Sequence, residues 1–268
     1  MAPQQKSQIT DIVGKIPYRL ALAGGWIDQP YVSKFDPSPP GSMVTVQVEP
    51  QFRFMDRSGI CGSTRRIALD IWNGTVPSHR DKMELVRELY EEENKDVKDP
   101  SGSQDMIGLV YPGVNRLDYN YKHEGGYFPV HIESNNDPIV AQWLSDNLYL
   151  VPVNQRPDGY YPLDNPNYTA ELVDELGQTG KDCYDAIVRM DIHDLGKSFN
   201  DCMRVWGEML PGVVKHNTIK FDLMGLLDVY QQNYAGAMFS GCGGGYFYVI
   251  SEESVPGGFQ VMVRVENE

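Results

Sequence analysis

Two glycines and three hydroxyl side chains lie together in residues 58–64, Ser-Gly-Ile-Cys-Gly-Ser-Thr, just before a run that favours a helix, residues 65–72. Glycine lets the backbone approach an anion closely, and the free amides and positive dipole end of a helix attract negative charge. This order of residues predicts a phosphate-binding loop. The loop is not of Walker type, because no Gly-Lys-Ser or Gly-Lys-Thr triplet follows at the required spacing. On local chemistry alone, an ordinary tight turn before a helix is the commoner explanation.

A second glycine-rich stretch, Ser-Gly-Cys-Gly-Gly-Gly at residues 240–245, lies between the apolar runs 237–239 and 246–250. This pattern predicts a strand, a loop and a second strand. Within a regular element each glycine costs about 0.5–1 kcal/mol relative to alanine. Three in succession therefore indicate a place where another backbone or a ligand approaches closely.

Four charged residues accompany these loops. The alternating run at residues 16–23 predicts a strand that delivers Arg19 and Asp28 to a turn. Glu93 ends an acidic run on an amphipathic helix, and Asp105 begins a buried apolar element. Each also has an ordinary interpretation: a surface arginine, a turn aspartate, a solvated glutamate and a helix N-cap. The residues themselves leave both interpretations open.

The composition, 41% hydrophobic and 22% charged over 268 residues, is ordinary for a globular protein. The length fits one large domain or two lobes sharing a cleft, and we favour two lobes. A formal net charge of −14 argues against nucleic acid as a partner, whereas a small anionic ligand needs only a local pocket. No apolar run approaches the ~18 residues that cross a membrane, so no membrane partner is expected. The polar start and four cysteines without a Cys-x-x-Cys pair favour a reduced, cytoplasmic protein.

Hydrophobic periodicity predicts the elements that must position these residues. The predicted helices cover residues 65–72, 81–95, 138–147, 170–176, 181–209 with a break near Asp191, and 220–233. The predicted strands cover residues 16–23, 44–48, 114–121, 127–133, 148–153, 237–239, 246–250 and 259–265. We expect a lobe boundary at residues 135–136. The stretch 155–168, rich in Pro, Asp, Asn and Tyr, is either a mobile loop over a site or an ordered surface loop.

Taken together, these segments resemble the GHMP small-molecule kinase superfamily, named for galactokinase, homoserine kinase, mevalonate kinase and phosphomevalonate kinase. Residues 17–28, Pro-Tyr-Arg-Leu-Ala-Leu-Ala-Gly-Gly-Trp-Ile-Asp, look like its first motif, in the form found in heptose-phosphate and fucose kinases. Residues 58–64 are similar to its phosphate loop, and residues 240–245 to its third motif. Glu93 and Asp105, on either side of Pro100-Ser101-Gly102, resemble its magnesium-binding glutamate and catalytic aspartate.

The resemblance implies a two-lobed α+β fold. A ribosomal-S5-domain-2-like lobe is expected over residues 1–135 and a ferredoxin-like α+β lobe over residues 136–268. It also implies ATP and Mg²⁺ as cofactors and transfer of the γ-phosphoryl group to a hydroxyl of a sugar or sugar phosphate. The implied catalytic residues are Asp105 and Arg19, and the implied metal ligands are Ser63 and Glu93. The implied nucleotide contacts are Gly59, Ile60, Cys61, Gly62, Ser63, Thr64, Gly243 and Gly244, and the implied acceptor contacts are Gly25, Asp28, Gly241 and Cys242.

The sequence also departs from the family pattern. Only 39 residues separate Arg19 from Gly59, so part of the first lobe's sheet or base pocket is expected to be shortened. Arg65 and Arg66 stand where small residues are usual, and either contact phosphates or mark altered ATP binding. The region of Arg156 is only loosely like the heptose-kinase segment. These departures motivate a rival hypothesis, a non-catalytic sugar- or nucleotide-sensing protein on the same fold.

The two acidic residues favour the enzyme over this rival. Loss of catalysis would be expected to remove Glu93 or Asp105 before the glycines that fold the loops, yet both are present. The identity of the acceptor and the oligomeric state are left open by the sequence.

Overall fold

The computed structural model describes residues 15–266. Within this range the chain forms two four-stranded antiparallel sheets. The first has the order β1-β2-β3-β4, with β1 Tyr18–Ala21, β2 Gly41–Val48, β3 Val114–Tyr119 and β4 His131–Asn135. The second has the order β6-β7-β5-β8, with β5 Leu148–Asn154, β6 Gly236–Phe239, β7 Gly245–Ile250 and β8 Phe259–Gln260.

Helices connect and cover these sheets. In chain order they are α1 Pro30–Ser33, α2 Gly62–Ile71, α3 Lys82–Asn94, α4 Gln104–Val110, α5 Pro138–Asn147, α6 Ala170–Arg189, α7 Ile192–Met209, α8 Pro211–Val214 and α9 Leu223–Asn233. Side chains cap several N-termini: Asp81, Thr169 and Asp191 each accept a hydrogen bond from a first-turn amide of the helix that follows. The α+β class expected from the sequence is confirmed.

Strand β2 is buried along its whole length, because α6 packs across it. The close approach depends on two helix glycines. A Cβ at Gly177 would lie 2.6 Å from the Cα of Gly41, and one at Gly180 would overlap the carbonyl oxygen of Ser42. The predicted interruption of the helix at residues 177–180 is therefore wrong: α6 is continuous, and its glycines serve packing.

Helix α7 returns antiparallel to α6 and packs against β6 of the second sheet. Gly196 of α7 and Gly236 of β6 meet without side chains between them. The paired helices α6 and α7 thus lie between the two sheets, and α6, which comes from the second half of the chain, covers the first sheet.

Several predicted boundaries differ from the structure. The helix expected at residues 65–72 begins at Gly62, and the strand expected at 127–133 begins at His131. The strand expected at 259–265 is confined to Phe259–Gln260, followed by a single bridge from Val263 to Val48. Within residues 15–266 we find no helix that combines the length and apolarity needed to span a membrane.

Candidate active site

A cavity of about 520 Å³ is lined by residues of both glycine-rich loops. Its wall includes both loop segments, the turn after β1 and the start of α4. The charged side chains that line it are Arg19, Asp28, Asp56, Arg57, Arg66, Asp105 and Arg156. Residues far apart in sequence therefore meet around one space, which is the arrangement that a two-substrate reaction requires.

Arg19 and Asp105, which both line this cavity, form an ion pair. Arg19 lies on β1 with 5% of its side chain exposed, whereas Asp105, in the first turn of α4, is 30% exposed. The Nη1 of Arg19 also donates to the carbonyl oxygen of Gly59, at 3.3 Å. Gly108 makes room for the arginine stem, since a Cβ there would overlap its Cγ. The pair thus connects the first motif, the phosphate loop and α4.

The hydroxyl of Thr64 joins the two acidic residues. It donates to the carboxylate of Glu93, with oxygen–oxygen distances of 2.7 and 2.9 Å, and lies 3.5 Å from Oδ2 of Asp105. Thr64 is fully buried on α2, and Glu93 comes from the last turn of α3. The helix after the phosphate loop therefore positions both carboxylates.

The phosphate loop packs directly on the second glycine-rich loop. Gly59, with a φ of +80°, would place a Cβ 2.5 Å from the carbonyl oxygen of Ser240. The Ser240 hydroxyl in turn donates to the carbonyl oxygen of Ser58, at 2.5 Å. Cys61 adopts a left-handed conformation, with a φ of 39°, immediately before α2. A Cβ at Gly62 would meet nothing within 4 Å, so the first residue of α2 faces open space in the cavity.

Asp28 lies at another part of the cavity and is fully buried. Its carboxylate accepts hydrogen bonds from Nε2 of Gln29, at 2.9 Å, and of Gln104, at 3.5 Å. Burial raises the pKa of Asp28 to about 6, although Arg19 and the two amides act in the opposite direction. Trp206 closes this part of the wall, its indole nitrogen donating to the carbonyl oxygen of Gly25, at 3.1 Å.

Three solved structures share this architecture. They are Lactococcus lactis galactokinase complexed with galactose (TM-score 0.59, 11% identity, covering 94% of this chain and 93% of that chain), a D-glycero-D-manno-heptose 1-phosphate kinase from Bacteriodes thetaiotaomicron (0.53, 13%, 94% and 96%), and L. major mevalonate kinase in complex with R-mevalonate (0.52, 12%, 95% and 97%). The chain has the GHMP kinase fold. No family model matches the sequence, and no curated protein matches it.

On this GHMP kinase fold, most of the sequence-predicted site residues line the cavity. Those that do are Arg19, Gly25, Asp28, Gly59, Cys61, Gly62, Ser63, Asp105, Gly241 and Cys242. Ile60 and Thr64 are buried and do not line the cavity. Glu93 does not line it either, but its carboxylate accepts a hydrogen bond from Thr64.

The prediction that Gly243 and Gly244 contact the nucleotide needs correction, because neither residue lines the cavity. A Cβ at Gly243 would overlap the ring of Tyr160, and one at Gly244 would lie 2.8 Å from the amide of Asn154. Both glycines also have positive φ, +69° and +142°. These residues allow the loop to turn beneath a neighbouring segment rather than to approach nucleotide phosphates.

The two arginines after the phosphate loop have different surroundings. Arg65 is buried, its Nε donating to the carbonyl oxygens of Ile16 and Pro17 at 3.0 and 3.2 Å, and its guanidinium lies 4.0 Å from the centroid of the Tyr18 ring. The interpretation that Arg65 contacts phosphates is therefore wrong. Arg66 is exposed and lines the cavity.

The segment 155–168 is held against the protein at several points. Arg57 pairs with Asp158, and the Tyr160 hydroxyl donates to the carbonyl oxygen of Gly212, at 2.7 Å. The single arginine of this segment, Arg156, lines the cavity. Sequence reasoning did not assign site roles to Arg57, Gln104 or Trp206. Of these, only Gln104 carried a signal, since it directly precedes Asp105.

The oxygen donors beside the phosphate loop suit a hard cation. Glu93 supplies a carboxylate, and Ser63 and Thr64 supply hydroxyl groups. In the described part of the chain, no group of three or more His, Cys, Asp or Glu residues forms a metal cage. Mg²⁺ bound to a nucleotide needs only one or two protein carboxylates, because phosphates and water fill its other positions. The donor set therefore fits magnesium nucleotide better than an isolated metal ion.

Proposed function

We propose that this protein is an ATP-dependent kinase that transfers the γ-phosphoryl group to a hydroxyl of a sugar or sugar phosphate. One observation carries the proposal: the Arg19–Asp105 pair lies in the same cavity wall as the open end of α2. Phosphoryl transfer requires that donor, acceptor and charge-neutralising groups meet in one place.

The donor phosphates are assigned to the N-terminus of α2. Gly62 leaves space at this end, and Ser63 is exposed there. The free amides of the first turn attract phosphate oxygens, and Arg66 adds a positive charge. Magnesium, when bound with the nucleotide, neutralises phosphate charge, and Glu93 with the hydroxyl of Ser63 or Thr64 would hold it.

The acceptor is assigned to the part of the cavity formed by Asp28, Gln104 and Trp206. Carboxylate and amide groups beside an indole ring provide both the hydrogen bonds and the apolar surface that a sugar needs. Asp105, one residue after Gln104, then orients the reacting hydroxyl.

In the reaction, the acceptor hydroxyl oxygen forms a bond to the γ-phosphorus as the bond from that phosphorus to the bridging oxygen breaks, releasing ADP. The hydroxyl proton passes to the carboxylate of Asp105 and then to solvent. Arg19 holds this carboxylate in place, and it stabilises the negative charge of the transferring group.

The test combines binding with turnover. Magnesium ATP at millimolar concentration should raise the melting temperature, since a ligand selective for the folded state stabilises it by mass action. A panel of free sugars and sugar monophosphates should then reveal at least one acceptor that accelerates ADP release. Nucleotide binding without release of ADP in any mixture would favour the non-catalytic sensor instead.

A further inference from the structure

Arg156 is a charged residue of the cavity that the proposed mechanism does not use. Two of the other cavity arginines have carboxylate partners, since Arg19 pairs with Asp105 and Arg57 with Asp158. Arg156 makes no ion pair with any residue of the 15–266 range. Its Nε is buried and has no hydrogen-bond partner within the same range.

The buried Nε is the unusual feature, because among the arginines of residues 15–266 only Arg19 and Arg156 have a buried Nε without a hydrogen-bond partner. Acidic residues outnumber basic ones by 37 to 23, so a carboxylate is available to most cations. A partly buried guanidinium that loses water without gaining an acceptor costs free energy. Such a cost is expected where a ligand supplies the missing acceptor.

The backbone around Arg156 keeps it at this place. Its amide donates to the carbonyl oxygen of Arg57, at 3.3 Å, while the Arg57 side chain holds the following residues through Asp158 and the carbonyl oxygen of Pro157. The Nη2 of Arg156 lies 3.8 Å from the position that a Cβ would take on Gly241. Gly241, which has no side chain, therefore lets the guanidinium approach this loop.

Arg156 lies beside the second glycine-rich loop, at Gly241. Burial raises the pKa of the Cys242 thiol, and the nearby guanidinium of Arg156 offsets part of that shift. Burial also raises the pKa of Tyr31, to which Asp28 and Cys242 both add. Cys242 is therefore close to Arg156 as well as to Tyr31, whereas Arg66 follows the donor loop on α2.

We propose that Arg156 binds a phosphate monoester carried by the acceptor, at a position other than the hydroxyl that is phosphorylated. The proposal rests on the kinase function proposed above and selects a sugar phosphate over a neutral sugar as its substrate. The guanidinium fork suits this group, because it donates two parallel hydrogen bonds to phosphate oxygens.

Inorganic phosphate serves as the first probe, measured by calorimetry with magnesium and a non-hydrolysable ATP analogue at saturation. The analogue occupies the phosphate loop, so added phosphate reports a second anion site. Arg156→Gln should weaken phosphate binding about 10- to 100-fold, the effect expected for a lost charge-assisted pair. Arg156→Lys should retain part of the affinity, because it keeps the charge but not the fork.

Arg53→Gln is the matched control. It removes the same charge from a nearby segment, but Arg53 is 79% exposed and does not line the cavity. Its phosphate affinity should equal that of the unaltered protein, and melting curves show whether each variant is folded. Equal affinity in Arg156→Gln and Arg53→Gln, or no phosphate binding once the analogue is present, would overturn the proposal.

Turnover measurements distinguish a failure of the proposed phosphate site from a failure of the proposed kinase function. With hexoses and their monophosphates compared as acceptors, Arg156→Gln should reduce kcat/KM for the phosphorylated members by the same factor and leave neutral sugars unchanged. If neutral sugars are the better acceptors and the variant behaves like the unaltered enzyme, the anion site is wrong while the kinase stands. If phosphate binding depends on Arg156 but no sugar of either kind is phosphorylated, the kinase assignment fails instead.

Discussion

At the scale of single residues, the pairing of Arg19 with Asp105 explains why an acid at the start of a helix can act in a cavity. The ion pair provides the almost fully buried guanidinium of Arg19 with an opposite charge. The sequence suggested both residues individually. It contained no local signal for their contact, because the pairing arises only when α4 packs beside β1.

Replacing Asp105 by Asn tests its role as the acceptor of the hydroxyl proton. The amide keeps the shape of the side chain but not its basicity, so we expect kcat to fall 10²–10⁴-fold while affinity for magnesium ATP is kept. Losing the carboxylate also leaves Arg19 without its charge partner, so the free energy of unfolding should fall by about 1–3 kcal/mol. Steady-state kinetics and urea unfolding measure the two effects separately.

Glu93→Gln is the companion variant to Asp105→Asn. Glutamine can still accept the hydrogen bond of Thr64, but it removes a charged oxygen ligand for magnesium. We expect weaker magnesium-dependent nucleotide binding as well as slower turnover. Normal turnover in Asp105→Asn, or unchanged magnesium dependence in Glu93→Gln, would refute the role given to that residue.

Asp28 provides a test by pH. Its folded-state pKa, about 6, lies above the ordinary value of 3.8, so the folded protein binds this proton more tightly than the unfolded chain does. The stability contributed by the group is therefore complete below pH 3.8 and is lost as pH rises through about 6. Asp28→Asn stays neutral throughout and should gain stability relative to the unaltered protein at higher pH, by at most about 3 kcal/mol.

Urea unfolding at pH 4.5 and pH 7.5 measures this difference. The stability of Asp28→Asn relative to the unaltered protein should be greater at pH 7.5 than at pH 4.5. Its acceptor binding is expected to weaken at both pH values. A stability difference that does not change between the two pH values would show that Asp28 has no raised pKa in the folded protein.

At the scale of elements, the phosphate loop shows what a glycine pattern reveals and what it conceals. The two glycines and the following helix were predictable from the order of residues. Their separate purposes were not, since Gly59 faces the backbone of Ser240 and Gly62 faces open space. That distinction depends on a loop about 180 residues further along the chain, which no local pattern contains.

Two variants of this loop should behave in opposite ways. Gly62→Val places its side chain in the cavity, where no protein atom opposes it, so we expect a folded protein that no longer gains melting temperature from magnesium ATP. Gly59→Ala forces a Cβ at a φ of +80° against the carbonyl oxygen of Ser240, so we expect lower stability even without nucleotide. Differential scanning fluorimetry with and without nucleotide distinguishes the two results. If magnesium ATP raised the melting temperature of Gly62→Val as much as that of the unaltered protein, the N-terminus of α2 would not be the donor site.

At the scale of the whole molecule, α6 and α7 connect the two sheets, and Trp206 of α7 lines the cavity. The sequence predicted most of the strands, because each is a short apolar run, but it divided α6 at glycines that ordinarily weaken helices. Tertiary contact reverses that expectation, because Gly177 and Gly180 let the helix axis approach β2 closely. The two lobes expected on either side of residues 135–136 stay a prediction, and the position of α6 on the first sheet implies that they unfold together.

The last prediction concerns this contact between helix and sheet. Gly180→Ala should destabilise the protein by about 2 kcal/mol or more, because its Cβ would overlap the backbone of Ser42 and separate α6 from β2. Gly207→Ala, in α7, is the control: it has no neighbouring atom within 4 Å, so alanine should stabilise by about 0.5–1 kcal/mol through helix propensity. Urea unfolding followed by tryptophan fluorescence and by circular dichroism should give coincident transitions if the sheets unfold as one unit. Two separate transitions, or a Gly180→Ala variant as stable as Gly207→Ala, would mean that α6 does not hold the two sheets together.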